Sequence, residues 1–172
     1  MSGGARLVIL GIDPGFARVG YGLVRYEASC FRPLAFGCIE TSPEPGKPFE
    51  RRLVEVYDGI RALTGVWRPE AMAVEKLFFG ANTTTAVGVA QARGCILLAA
   101  AQEDIPVHEY APLEVKMTLA GYGRAAKPQL QEMTRRLLGL KDVPKPDDTA
   151  DALAVAICHA YASRLKAKLA GG

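Results

Sequence analysis

Five short apolar segments along the chain have the pattern of β-strands. The first is a nearly continuous apolar run, which is typical of a strand buried on both faces. The second alternates, with Val19, Tyr21 and Leu23 separated by smaller residues. The five segments are residues 6–12, 19–26, 34–40, 71–74 and 105–110. Because the first three follow one another across tight loops, they predict an antiparallel meander.

Helical signals mark the rest of the chain. Apolar residues at positions 53, 56, 57, 60 and 63 follow one another at spacings of three, one, three and three, which is typical of the apolar stripe of an amphipathic helix. Asn82 or Thr83 can cap a long helix that runs to about Glu103. Further helices are predicted at 112–120, 127–138 and 147–168. The order β-β-β-α-β-α-β-α-α-α contains no internal repeat, so we expect one mixed α/β domain spanning residues 1–172.

Composition places the chain among ordinary globular proteins. Of its 172 residues, 49% are hydrophobic and 23% charged, which excludes disordered, collagen-like and coiled-coil classes. The longest apolar run, residues 95–101, is far shorter than the ~20 residues that cross a bilayer. Residues 1–4 lack the basic and apolar regions of a secretory signal. We therefore expect a cytoplasmic protein with no membrane partner.

The four cysteines are scattered, and no C-x-x-C motif is present. A chain of this length needs no disulfide framework, and the spacing does not match a zinc finger. Each cysteine is therefore expected to behave as a small buried apolar residue in a reducing cytosol.

Four carboxylates stand where this order of elements can bring them together. Asp13 ends the first strand before a Pro-Gly turn, and Glu75 ends the fourth strand. Open α/β sheets place their sites at the carboxyl ends of strands, so both side chains are expected in one crevice if these strands are parallel neighbours. Asp148 and Asp151 are three residues apart in the first turns of the last helix, hence on one face.

Four converging carboxylates predict a metal site. Each like-charged pair costs on the order of 4 kcal/mol at 4 Å and an effective dielectric near 20, unless protons or cations intervene. An all-oxygen set suits Mg²⁺ or Mn²⁺, and two such ions can hold the attacking and leaving oxygens of a phosphodiester. Each residue alone also has a simpler interpretation: Asp13 as a turn residue, and Asp148 as a helix-start residue.

Positive charge is concentrated between Leu113 and Lys141. This segment contains six basic and two acidic residues, whereas the net charge of the whole chain is +3. A basic segment beside an acidic site suits a polyanion held by its phosphates. Solvated helix faces are the alternative. Phe78 and Phe79 follow Glu75 in a predicted loop and can stack on unpaired bases or pack in the core.

The long middle helix carries small residues four apart at Ala86, Ala90 and Gly94, continuing to Leu98. Such a stripe allows a second helix to approach closely. It is either a two-fold dimer contact or the surface that packs on the chain's own sheet.

Several motifs together resemble the RuvC family of Holliday junction resolvases. They are residues 11–15 (G-I-D-P-G), 19–22 (V-G-Y-G), 74–75 (V-E) with Phe78, 91–94 (Q-A-R-G), 109–111 (E-Y-A), 115–116 (V-K) and 148–154 (D-T-A-D-A-L-A). The resemblance covers most of the chain, and the blocks occur in the family's order. It implies an RNase H-like fold, with a five-stranded mixed sheet made of a three-strand antiparallel meander plus two parallel strands, flanked by helices.

The resemblance also implies site residues, cofactors and partners. Asp13, Glu75, Asp148 and Asp151 are expected to be the catalytic metal ligands for Mg²⁺, or Mn²⁺ in its place, with two ions per site. The resemblance places Phe78 at the stacking aromatic and Lys116 and Lys127 on the DNA path. Phe79, beside Phe78, and Arg124, in the basic segment, are further candidates for DNA contacts because of their positions in the sequence. The long helix is expected to form a homodimer, and the RuvA and RuvB branch-migration proteins are expected partners.

The activity that follows is metal-dependent endonucleolytic resolution of four-way DNA junctions by paired symmetric nicks. The cuts are expected to leave 5′-phosphate and 3′-hydroxyl ends during homologous recombination and DNA repair. Three other functions stay open from the residues alone. They are an RNase H-like nuclease that processes structured RNA, a nucleotide-binding module, and a DNA-binding scaffold without catalysis. The nucleotide-binding module is disfavoured, because residues 19–23 alternate like a strand and open no helix that could receive a phosphate.

Overall fold

Five strands form one mixed sheet in the computed structural model, which describes residues 6–41, 44–77 and 83–170. The strands are β1 (Leu7–Asp13), β2 (Arg18–Glu27), β3 (Cys30–Glu40), β4 (Ala71–Glu75) and β5 (Val107–Tyr110). The helices are α1 (Phe49–Trp67), α2 (Thr83–Gln102), α3 (Pro112–Ala120), α4 (Lys127–Leu137) and α5 (Asp147–Ala170). The predicted order of elements is confirmed.

The strands lie in the order β3-β2-β1-β4-β5. β1 pairs with β2, and β2 with β3, in antiparallel fashion, whereas β4 is parallel to both β1 and β5. The sheet is therefore the predicted meander extended by two parallel strands. β1 lies at its centre, as its continuous apolar run indicates.

Helices cover both faces of the sheet and divide the core in two. On one face α1 and α2 pack through residues such as Ile60 and Ile96. On the other face α5 lies against the sheet, and α3 and α4 pack on α5 through Val115 and Leu130. Residues 152–160 of α5 are all buried, which makes this helix the centre of its layer.

The third strand is longer than predicted, because β2 and β3 are joined by a two-residue turn. Ala28 and Ser29 both have positive φ, at 49° and 65°, and Glu27 pairs with Cys30. Such turns usually carry Asn-Gly, so Ala-Ser provided no turn signal in the sequence. The fifth strand begins at Val107 instead of Ile105, because the Ile105 N–H bonds to the Ala100 carbonyl at the end of α2.

All four cysteines are free thiols, but their predicted burial is wrong for three of them. Cys30 is exposed because it follows the β2–β3 turn, Cys38 and Cys95 are half-buried, and Cys158 alone is buried in α5. Within the described ranges, no helix combines the length and the hydropathy needed to cross a membrane.

Candidate active site

Strand alternation aims Asp13 and Glu75 at the same face of the sheet. Ile9 in β1 and Ala73 in β4 belong to the core beneath α5, and successive side chains of a strand point to opposite faces. Asp13 is four residues after Ile9, and Glu75 is two residues after Ala73. Both carboxylates therefore point toward α5. The parallel register places Ile12 beside Val74, so the next residues are neighbours.

Two glycines let α5 approach the sheet closely enough to bring its first turn to the same end. A Cβ at Gly11 would overlap the Ala152 carbonyl oxygen, and a Cβ at Gly20 would overlap the carbonyl oxygen of Asp148. Gly20 pairs with Asp13 across the β1–β2 ladder. The close contact between Gly20 and Asp148 thus brings the start of α5 beside the Asp13 strand end.

Asp13 and Glu75 follow paired residues of two adjacent strands and lie close enough for the charge of Glu75 to act on Asp13. Burial and the neighbouring charge of Glu75 raise the pKa of Asp13 to about 9. Burial also raises the pKa of Glu75, although contact with Asp13 and the nearby cations Lys127 and Lys116 oppose that change. At neutral pH the pair therefore retains a proton when no cation is bound.

The two α5 carboxylates are held by basic side chains. Asp148 Oδ2 lies 3.4 Å from Arg18 Nη1, and Asp151 Oδ2 lies 3.0 Å from Lys127 Nζ. Burial raises the pKa of Asp151, while its hydrogen bond to Lys127 works against the change. The charges of Asp151 and Asp148 also help to raise the pKa of Asp13, so both lie near the strand-end pair.

Arg18 is a site residue that sequence reasoning missed. It begins β2 two residues before Gly20, so the register with Asp13 places it at the same end of the sheet. Its Nε also lies 3.5 Å from Glu40 Oε1. The sequence feature that could have predicted its place in the site is its position at the start of the strand that pairs with β1.

A cleft with a volume of about 170 Å³ opens beside Glu75 and Asp151. Lys116 from α3 and Lys127 from α4 line the same cleft as these two carboxylates. Arg124 is exposed in the segment between α3 and α4 and is not one of the residues that line the cleft. Phe78 and Phe79 lie outside the described residues.

The donor set suits a hard divalent cation. The four candidate metal ligands are all carboxylates, which favours Mg²⁺ or Mn²⁺ over softer metals. A buried acidic pair that keeps a proton offers a place where a cation can replace that proton. Across residues 6–41, 44–77 and 83–170, however, no three Asp, Glu, His or Cys side chains already enclose a metal position. The four predicted ligands thus comprise two carboxylates at adjacent strand ends and two carboxylates of α5 that are paired with Arg18 and Lys127.

The sheet order, the α5 layer and the strand-end carboxylates define an RNase H-like α/β protein. The family model "Crossover junction endodeoxyribonuclease RuvC" matches residues 9–159. The RuvC proteins of Moorella thermoacetica and Desulfitobacterium hafniense, both described as crossover junction endodeoxyribonucleases, are similar to this chain. The Moorella protein is 57% identical over 154 residues (90% of this chain, 91% of the relative), and the Desulfitobacterium protein is 52% identical over 165 residues (96% and 99%).

A solved structure of Thermus thermophilus RuvC in complex with a Holliday junction substrate has the same fold. It superposes with a TM-score of 0.87 at 38% identity and covers 93% of this chain and 96% of the other. The chain therefore belongs to the RuvC family of crossover junction endodeoxyribonucleases, as the sequence motifs predicted.

Proposed function

We propose that this chain is a structure-selective endodeoxyribonuclease that resolves four-way (Holliday) DNA junctions. The convergence of Asp13 and Glu75 at adjacent parallel strand ends of a RuvC-family chain carries the proposal. The Thermus relative was solved with a Holliday junction substrate, which supports the same substrate for this protein. The reaction is hydrolysis of DNA phosphodiesters that leaves 5′-phosphate and 3′-hydroxyl ends.

The RuvC family is metal-dependent in general. We assign Mg²⁺ to this site, with Mn²⁺ able to replace it and two ions bound per site. Asp13 and Glu75 would hold metal at the strand ends, and Asp148 and Asp151 would complete the ligand set. Bound there, the cations would supply Lewis acidity toward the phosphodiester and activate water for in-line attack. The carboxylate-only donor set supports this assignment.

Basic residues beside the cleft orient the DNA strand. Lys116 and Lys127 lie next to Glu75 and are suited to hold the phosphates that flank the scissile bond. Arg124, exposed between α3 and α4, extends this positive surface. Phe78 and Phe79 follow Glu75 by three and four residues, and we propose that one of them stacks on bases at the junction point.

We propose that the protein forms a homodimer in which the two copies contact each other through α2. The four small or apolar residues spaced four apart in α2 do not lie in one environment. Ala86 is buried, whereas Gly94 and Leu98 are exposed. Val87 is exposed on the same side, and the opposite side packs in the core through Ala92 and Ile96. A small, apolar, exposed helix face is suited to close contact with a second copy. Two-fold symmetry would then direct two sites at opposite strands and give paired symmetric nicks.

The wider assignments rest on the family. We propose one nuclease domain over residues 1–172, which is supported by the membership of all five described strands in a single sheet. We also propose a role in homologous recombination and DNA repair together with RuvA and RuvB. A cytoplasmic location is supported by the four free thiols.

A labelled synthetic four-way junction, incubated with and without Mg²⁺ beside a structured RNA, tests the function. We expect symmetric incision of the junction only with Mg²⁺, and an intact RNA. Cleavage of the RNA in preference to the junction would overturn the proposal in favour of the RNA-processing alternative. None of the relatives named above is described as acting on RNA.

A further inference from the structure

Arg52 of α1 is a buried arginine that has no carboxylate partner within the described residues. It is only 7% exposed. Its Nη2 donates to the carbonyl oxygen of Phe16 at 3.2 Å and to Thr41 Oγ1 at 3.4 Å, while its buried Nε has no hydrogen-bond partner in the described structure. Arginines are almost never this buried unless paired, because removing the charge from water is costly. The interactions that Arg52 makes instead must account for its position.

Those interactions converge on the turn that follows Asp13. Phe16 lies three residues after Asp13, between β1 and β2. The Arg52 guanidinium lies over the Phe16 ring, 3.8 Å from its centroid, in a cation–π contact that gains strength when water is excluded. Thr41 Oγ1 donates to the same Phe16 carbonyl at 2.8 Å, and the Thr41 N–H donates to the Ala17 carbonyl at 3.0 Å. The turn is thus held from α1 and from the residue after β3.

The Phe16 ring is also wedged between two helices. It stacks on Phe49 at the start of α1, with the ring centroids 5.1 Å apart. It also lies against Gly88 of α2, where an added Cβ would be 2.7 Å from Phe16 Cδ2. The ring therefore has little room to move, and the backbone that connects it to Asp13 is fixed at both ends.

We propose that Arg52 is a positioning residue that holds the Asp13 carboxyl against Glu75 by anchoring the Phe16 end of the turn. The inference rests on the proposed role of Asp13 as a metal ligand in junction cleavage. A residue that only packed α1 against β3 would affect the stability of the fold. A positioning residue also sets how tightly the Asp13 site binds metal.

Arg52→Lys tests this proposal, because lysine keeps the charge but loses the planar group that both donates and stacks. Arg51→Lys is the matched control, since Arg51 is the exposed neighbour on the same helix. Gly88→Ala perturbs the same turn from α2 without touching the arginine. Mn²⁺ binding to the DNA-free protein is measured by calorimetry, and single-turnover junction nicking is measured across Mg²⁺ concentrations, at a temperature where thermal unfolding shows every variant to be folded.

For Arg52→Lys and Gly88→Ala we expect Mn²⁺ affinity and nicking rate to fall about 10-fold or more, the range seen when supporting residues of metal ligands are changed. Excess Mg²⁺ should restore part of the rate, and junction affinity should stay near that of the wild type. Arg51→Lys should match the wild type. If Arg52→Lys does not fold, the same measurements on Phe16→Leu test the proposal, because this variant loses the aromatic ring but keeps the carbonyl acceptor.

A folded Arg52→Lys or Phe16→Leu protein with wild-type Mn²⁺ affinity and Mg²⁺ requirement overturns the proposal and leaves Arg52 as a packing residue. Failure of the proposed function gives a different result. If the wild type itself nicks no junction, the assignment of the reaction is wrong, while the Mn²⁺ measurement still decides the role of Arg52.

Discussion

Asp13 and Glu75 end two neighbouring parallel strands, and their half-buried carboxyl groups lie close to each other on one face of the sheet. Two ionised carboxylates at such a distance repel, and burial adds to the cost of charging them. The pKa of Asp13 consequently rises to about 9, so a proton is held at neutral pH. This single relationship connects the strand register with the burial and the protonation of the two carboxyl groups.

The raised pKa of Asp13 predicts an unusual pH dependence of stability in the metal-free protein. The pKa of Asp13 is 3.8 in the unfolded chain and about 9 in the folded protein, so the folded state binds more protons between these values. The free energy of unfolding should therefore decrease as the pH rises through this range, by at most about 1.4 kcal/mol per pH unit for one proton. Urea unfolding in EDTA, between about pH 6.5 and 8, measures this slope.

Asp13→Asn is the control for that measurement, because it keeps the shape and removes the titrating group. Burial lowers the pKa of His159 from its ordinary value of 6.5 to about 4, so His159 contributes the opposite slope only at pH values under about 6.5. The variant should lose the downward slope and be more stable than the wild type at pH 8. Parallel pH profiles for the two proteins would contradict the account.

Gly20→Ala should displace the start of α5. The new Cβ would overlap the Asp148 carbonyl, which is backbone and cannot rotate away. We expect a loss of about 1–3 kcal/mol in the free energy of unfolding and weaker metal binding. Gly65→Ala is the comparison, since nothing lies within 4 Å of its Cβ and alanine favours a helix by about 0.8–1 kcal/mol. If both variants change the free energy of unfolding in the same direction, the position of α5 does not depend on the absence of a side chain at Gly20.

Lys127→Ala should weaken binding to four-way junctions of any base sequence, because the proposed contact is to phosphate. The slope of the logarithm of affinity against the logarithm of salt concentration should fall by about 1. Lys168→Ala provides the control, since this lysine lies in the last turn of α5, ~30 Å along the helix from Asp148. Fluorescence anisotropy with an uncleavable junction at several salt concentrations measures both slopes. If the salt dependence of junction affinity were the same for the two variants, Lys127 would not be a phosphate contact.

Leu98→Glu tests the proposed dimer. Leu98 is 53% exposed on α2, so a charge there costs little in the monomer but is buried in a two-fold helix contact. Sedimentation should show a monomer, and paired symmetric nicks should give way to slow, independent ones. Val66→Glu changes an even more exposed apolar residue on α1 and should leave the assembly intact. A dimer that survives Leu98→Glu would place the interface elsewhere.

Hydrophobic patterning predicted the order of the strands and helices along the chain and placed Asp13 and Glu75 at strand ends. The alternation in β2 and the apolar run in β1 predicted their strands correctly, and a polar residue at each strand end predicted the position of Asp13 and Glu75. These features depend on local periodicity, which a sequence carries directly.

Long-range contacts explain what could not be predicted. The burial of Arg52 depends on Phe16 and Thr41, and the Arg18–Asp148 pair joins residues 130 positions apart. The exposure of Cys30 follows from a turn whose residues carry no usual turn signal. Each of these depends on which surfaces meet after folding, which periodicity does not specify.

Single-turnover cleavage of a labelled four-way junction, with junction affinity measured in parallel, tests the central claim most directly. In Mg²⁺ the wild type should nick the junction symmetrically. Asp13→Asn and Glu75→Gln should each lose at least about 10²-fold in rate while they bind the junction as before. Mg²⁺ should also raise the unfolding midpoint of the wild type and of neither variant. Wild-type nicking rates in both variants, in the presence of Mg²⁺, would contradict the account.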